Sequence, residues 1–218
     1  MKKVTRILSI AGVSGALLLS SCGSMTNLGK GAAIGGGKGA GIGAAIGAAV
    51  GSGAGMLIGK KMDDQAKKLR EIENAKVEET TDQNGLKAIR VTFDGGILFP
   101  TNGTTLSAGA RTDLSQFAAT LQQNPETNVQ IYGYTDNTGS LAANQKVATG
   151  RADAVKAYLL NCGIAASRLT AEGLPMQNYI ASNETAEGRA QNRRVEIFIS
   201  ANEQMIKQAE AEAANQGR

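Results

Sequence analysis

Histidine is absent from the 218 residues. With it go imidazole acid–base catalysis, Ser–His and Cys–His nucleophile pairs, and His-ligated metal sites; carboxylate and lysine chemistry are untouched. Aromatic residues are scarce at 4%, charged residues make up 19%, and cysteine appears only as Cys22 and Cys162. Against these shortages stand 28 glycines, where an average usage near 7% gives about 15. Some segment is therefore not ordinary globular sequence. The rest, at 42% hydrophobic overall, suffices for a domain of about 100–150 residues with accessory segments.

The formal charge of +4 owes much to Lys2, Lys3 and Arg6. These form the basic start of a secretory signal over residues 1–21, followed by an apolar stretch from Ile7 to Leu19 and the small residues Ser20 and Ser21. The apolar stretch is too short for a ~30 Å hydrocarbon core. Once the signal is removed, 20 basic side chains face 19 acidic ones, a balance of +1. That leaves no electrostatic footprint for nucleic acid. Leu19-Ser20-Ser21-Cys22 resembles a bacterial lipobox, in which the Cys thiol is acylated and becomes the new N-terminus. Residues 22–28 are then a lipidated N-terminus, and lipid through Cys22 is an expected partner, since two or more acyl chains anchor stably. Gly23 follows the Cys where an inner-membrane retention signal would have Asp, and no acidic run follows. The expected location is the outer membrane, lipid-anchored, with the domain facing the periplasm. Lipidation of Cys22 leaves Cys162 without an intrachain partner; at the end of an apolar helix pattern it reads as a buried, inert thiol.

Residues 29–59 carry glycine at 31, 35, 39, 43, 47, 51, 55 and 59. A period of four on a helix lays a groove of small residues along one face, which lets another helix backbone approach closely. Each glycine costs a helix about 1 kcal/mol, so the segment requires lipid, a partner helix or a hairpin of itself. Three arrangements fit: a membrane-associated or oligomerising zipper, a self-packed helical hairpin, and a Gly-rich tether. The first makes a homo-oligomer an expected assembly. Residues 60–76 mix charges of both signs with Met62, Ala66, Leu69 and Ile72 at helical spacing, and read as an exposed amphipathic spacer.

The main domain is placed at 77–200. Ile89, Val91 and Phe93 alternate as a half-buried strand, and Asp82-Gln83-Asn84-Gly85 has hairpin-turn chemistry, which pairs 76–80 with it. Ile97-Leu98-Phe99 is a short apolar run. Leu106, Ala110, Leu114, Phe117, Ala118 and Leu121 share one helix face, Val129, Ile131 and Gly133 alternate, a second helix covers about 141–161, and 168–173 and 194–200 read as strands. The fold class is α+β: a βαβαβ-type mixed sheet packed under two to three helices, preceded by the signal and a helical glycine-zipper segment. The tail, 201–218, reads as a frayed polar helix.

Three strings have a familiar order and spacing: Gly133-Tyr134-Thr135-Asp136-Asn137-Thr138-Gly139; Asn144-Gln145 with Arg151-Ala152; and Gly188-Arg189-Ala190-Gln191-Asn192-Arg193-Arg194-Val195. They resemble the OmpA C-terminal-like domain, a non-covalent peptidoglycan-binding module. The likeness covers roughly 90–200. With the lipobox and the zipper, the chain is similar to zipper-containing lipoproteins of that family. The resemblance implies peptidoglycan as partner, recognised through the diaminopimelate of the stem peptide, whose free end bears an ammonium and a carboxylate on one carbon. It assigns the ammonium to Asp136 and the carboxylate to Arg151, whose planar fork suits bidentate recognition. Thr135 and Asn144 follow as lesser contacts. Arg193 and Arg194, at a helix-to-strand junction, read as structural.

The sequence also departs from the family pattern. Tyr134 stands for the usual His, Val147-Ala148 for Leu-Ser, Gly173-Leu174-Pro175-Met176 for G-Y-G-E, and Tyr179 for Pro, while Gly150 weakens the helix turn beside Arg151. No acidic pair stands out for glycoside hydrolysis, and no catalytic residue, cofactor or metal is expected. The expected function is an outer-membrane lipoprotein that tethers the envelope to the wall. The alternative is a zipper-driven structural or assembly protein that the domain merely localises.

Overall fold

The computed structural model describes residues 52–100 and 103–216. The signal, Cys22 and the zipper up to Gly51 lie outside them.

The anticipated hairpin is present. Strand β1 (Ala75–Thr81) pairs antiparallel with β2 (Lys87–Asp94). The turn between them is closed by Asp82 Oδ1, which accepts from the N–H groups of Asn84 and Leu86. A one-turn helix α2 (Gly95–Leu98), capped by Asp94, leads to α3 (Ala108–Gln123), whose N-cap Ser107 accepts from the Ala110 N–H. Strand β3 (Thr127–Tyr134), helix α4 (Leu141–Asn161) and strand β4 (Leu169–Leu174) form a parallel unit. Helix α5 (Ala186–Asn192) turns directly into β5 (Arg194–Ala201).

The sheet order is β1-β2-β5-β3-β4. The last strand in sequence therefore lies in the middle, antiparallel to both neighbours. Register places Val91, Ile197 and Ile131 side by side, and Ile89, Ile199 and Val129 beside them. These rows are fully buried. Leu114, Phe117 and Leu121 of α3 and Val155 and Leu159 of α4 join them in one core. Phe93 and Phe117 meet edge to face at 6.1 Å. The alternate positions Arg90, Thr92, Gln130, Tyr132 and Phe198 are only half-buried, as expected of a mixed α+β fold with its helices gathered on one face.

The two terminal segments differ from their sequence reading. Helix α1 (Ser52–Leu69) begins inside the zipper, eight residues before the expected spacer. It is not an exposed spacer: Ala54, Ile58, Met62, Ala66 and Leu69 are almost completely buried in the core. Charged residues on it and just after it tie it to the hairpin and to the residue that precedes β3. Lys87 bridges Asp63 and Glu79, Arg70 pairs with Glu79, and Lys61 pairs with Glu126. Helix α6 (Glu203–Gln216) is likewise docked, not frayed, with Met205, Ile206 and Ala209 buried against the rest. An amphipathic pattern shows that a face must be covered, but not what covers it; here α1 and α6 cover each other and the open side of the core. Cys162 is half-buried rather than buried.

Candidate functional site

The site is built where β3 ends. The chain leaves the sheet at Tyr134, and Asp136 is positioned in the loop leading to α4. Asp136 Oδ1 accepts from the Thr138 N–H at 2.9 Å, a local turn that fixes the carboxylate. Helix α4 begins four residues beyond Asn137, with Ser140 as N-cap accepting from the Ala143 N–H.

Two glycines let α4 lie unusually close to the sheet. A Cβ at Gly133 would stand 2.2 Å from the Ala148 carbonyl oxygen, and one at Gly173 2.4 Å from the Thr149 nitrogen. Ala148 in place of the usual Ser belongs to this contact. Gly150, read from sequence as a weak point, has a packing role of its own: a Cβ there would meet Thr104 Cγ2 at 2.9 Å. The loop after α2 can thus close over the helix at Arg151.

Of the four residues expected to meet the ligand, Asp136 and Arg151 are brought to one place. They are not in contact. Arg151 is 3% exposed. Its Nε donates to the Gly103 carbonyl at 3.1 Å, its guanidinium lies 5.2 Å from the Phe99 ring centre, and its Nη1 is buried with no hydrogen-bond partner among the described residues. Burial lowers the Arg151 pKa, and the neighbouring Arg193 lowers it further, while Asp136 acts in the opposite direction. Thr135 and Asn144 brace the loop that carries Asp136. Thr135 Oγ1 donates to the Asp136 carbonyl and accepts from the Met176 N–H, and Asn144 Nδ2 donates to the carbonyls of Thr138 and Ser140. Both residues are buried.

Arg193, read from the sequence as structural, also lies at this place. Its Nη1 donates to Asp136 Oδ2 at 2.6 Å. Its carbonyl accepts from the Gly95 N–H at 2.8 Å. A Cβ at Gly95 would fall 2.4 Å from that carbonyl and 3.3 Å from Arg151 Nη1, so both arginines converge under this one glycine. Burial raises the Asp136 pKa, but the Thr138 N–H and the Arg193 guanidinium outweigh it and hold the carboxyl below its ordinary range. The signal available in the sequence was the doubled arginine, whose two members take different surroundings. Arg194, 2% exposed, donates to Glu196 at 2.6 Å and to the Asn178 carbonyl at 2.9 Å, and stacks 4.0 Å from the Tyr134 ring centre. It is structural, and Tyr134 in the family's His position supplies its stacking surface.

Chemically, the constellation is one fixed carboxylate flanked by two guanidiniums, which suits recognition of a small zwitterion or anion. Residues 98–193 match the OmpA family, and residues 22–66 match the glycine zipper family. The former stretch is an OmpA-like domain.

Among relatives of this OmpA-like domain, the Escherichia coli (strain K12) protein "Probable lipoprotein YiaD" is 37% identical over 136 residues, covering 60% of this chain and 62% of that one. The peptidoglycan-binding protein ArfA of Mycobacterium tuberculosis is 42% identical over 113 residues, covering 52% of this chain but 35% of its own length. The chain thus spans less than two thirds of each, 62% of the first and 35% of the second. Among solved structures, the cell wall anchor of the T6SS from Pseudomonas aeruginosa superposes with a TM-score of 0.54 at 29% identity, over 65% of this chain and 97% of that chain. A MotB-like protein from Desulfovibrio vulgaris superposes with a TM-score of 0.58 at 26% identity, over 68% and 96%. No helix among the described residues is long and apolar enough to cross a membrane. No group of three or more candidate metal ligands lies among them either.

Proposed function

We propose that the OmpA-like domain binds peptidoglycan non-covalently, by clamping the free amino-acid end of a diamino acid in the stem peptide. Asp136 accepts from the ammonium and Arg151 takes the carboxylate. With acyl chains on Cys22 holding the other end in the outer membrane, the protein tethers membrane to wall without making or breaking a bond. Peptidoglycan-binding and wall-anchor relatives support this reading. The observation that carries it is the buried, ionised Asp136 beside a buried Arg151 that has no carboxylate in contact. Charge-assisted hydrogen bonds contribute about 1.5–3 kcal/mol each, so loss of either partner corresponds to roughly ten- to hundredfold in affinity.

The test is co-sedimentation of the detergent-solubilised full chain with purified sacculi. Wild type is expected in the pellet; Asp136→Asn and Arg151→Gln, folded by circular dichroism, are expected in the supernatant. Full retention of both variants on sacculi would defeat the clamp.

A second role rests on a separate observation. The zipper positions Gly55 and Gly59 lie on α1 with nothing from beyond their own turns, among the described residues, within 4 Å of where a Cβ would stand. That open groove favours assembly of copies through the zipper, alongside wall binding. Crosslinking yields that fall when residues 29–51 are deleted would support it.

A further inference from the structure

The clamp as usually drawn needs one anion and one cation. This site holds one anion and two cations. Among the described residues Arg193 pairs with Asp136 and no other carboxylate, and Arg151 makes no ion pair. The excess is not free in solution: Arg151 is almost wholly buried and the Asp136 side chain is 8% exposed, while Arg193 remains 40% exposed. A surplus buried positive charge is unfavourable unless an anion completes it.

The arrangement of bonds shows where that anion would come. Asp136 Oδ1 is committed to the Thr138 N–H, and Oδ2 to Arg193 Nη1. An ammonium arriving at this carboxylate meets the Arg193 guanidinium, a like charge, on Oδ2. The Arg193 backbone is fixed on both sides, its N–H donating to the Arg189 carbonyl and its carbonyl accepting from Gly95. Its guanidinium makes no other hydrogen bond among the described residues. It can therefore turn aside while its anchor stays still, but it then needs a new acceptor close by.

We propose that Arg193 is a specificity-determining residue, which makes this site select stem peptides that end at the diamino acid. The inference rests on the clamp reading above and names the ligand more closely. A terminal diamino acid carries one ammonium and two carboxylates: one beside the ammonium, for Arg151, and its own main-chain carboxylate, for the displaced Arg193. Two guanidiniums and an ammonium then face Asp136 and two carboxylates, and the charges balance. When the chain continues, the main-chain carboxyl is an amide. Arg193 is then left beside an ammonium with no partner, and any terminal carboxylate lies at least one residue, about 3.5 Å, further out. The reaction that supplies the preferred ligand is a carboxypeptidase-type cleavage releasing the residue that follows the diamino acid.

The test compares two synthetic ligands binding to the full chain in detergent, followed by calorimetry. One is the tripeptide stem ending in diaminopimelate with a free main-chain carboxylate; the other is its main-chain carboxamide. Wild type is expected to prefer the acid by about tenfold or more, the range of one charge-assisted hydrogen bond. Arg193→Gln is expected to bind both alike, and the carboxamide no more weakly than wild type does. Arg193→Lys is expected to restore part of the preference. Equal binding of both peptides by wild type would overturn the proposal and leave the clamp standing, as would an undiminished preference in Arg193→Gln. Loss of both peptides from a folded Arg193→Gln would make the residue an essential contact and equally overturn selection. Failure of wild type to bind either peptide would instead defeat the clamp itself.

Discussion

Charge at single residues decides most of what this site can do. Asp136 sits in an environment where burial alone would neutralise it, yet the Thr138 N–H and Arg193 keep it ionised. Its folded-state pKa is depressed, so its contribution to stability is present above the ordinary aspartate value of about 3.9 and lost as pH falls through the lower folded-state value. Wild type should therefore exceed Asp136→Asn in urea midpoint near neutrality, with the gap closing in acid. A gap unchanged down to pH 2 would mean that the carboxylate charge has no part in it. Asp136 and Arg151 were legible as candidates because their strings match a family pattern. Arg193 was not, because its partner lies 57 positions away in sequence and nothing local distinguishes a guanidinium aimed at a carboxylate from one packed in a junction. Thr135 and Asn144 were legible by residue type, but the bonds by which they hold the loop that carries Asp136 were not.

At the scale of elements, α4 was readable end to end: the expected 141–161 is the helix observed. The hairpin of β1 and β2 was also legible, because its turn residues specify a local conformation. The helix–sheet spacing was not, since a glycine in a strand announces close approach without naming the neighbour. Here the neighbour is α4, which carries Arg151. Replacing Gly133 with Ala would thrust a Cβ toward the Ala148 carbonyl, a backbone atom that cannot swing away. Overpacking of this kind costs about 1–3 kcal/mol. The expected outcome is a lower denaturation midpoint together with weaker sacculus binding, because α4 must shift with Arg151 on it. A Gly133→Ala variant with normal midpoint and normal binding would show that the close approach is dispensable. Arg168 ties the opposite end of this layer, its guanidinium donating to the carbonyls of Leu121, Asn124 and Thr127.

Taken as a whole molecule, the boundary between accessory segments and domain runs differently from the composition. Glycine content suggests a break near residue 60, and the charges beyond it suggest a solvated helix. Packing instead draws α1 into the core from Ala54 onward and brings the polar tail back as α6 to cover it. The mixed sheet and the helices over it were legible from alternation and periodicity. The terminal helices were not, because each is amphipathic and the partner of each is the far end of the chain. Deleting residues 203–218 would remove the buried Met205 and Ile206 and bare the face of α1. Burial of such side chains is worth about 1.5–3 kcal/mol apiece. The truncated chain should lose several kcal/mol in urea denaturation and bind a hydrophobic dye in its native state. An unchanged midpoint would show that α6 is ornamental to the fold.

The docking of α1 also has a mechanical consequence. Any tension entering the domain from the N-terminal side arrives at Ser52, the first residue of a helix glued along its length. A pull along the helix axis loads Ala54, Ile58, Met62, Ala66 and Leu69 together, in shear, rather than one after another. Should that joint give way, the 18 residues of α1 would pay out as extended chain. At about 3.3–3.6 Å per residue extended against about 1.5 Å in the helix, that adds roughly 35 Å of slack ahead of the sheet that holds Asp136.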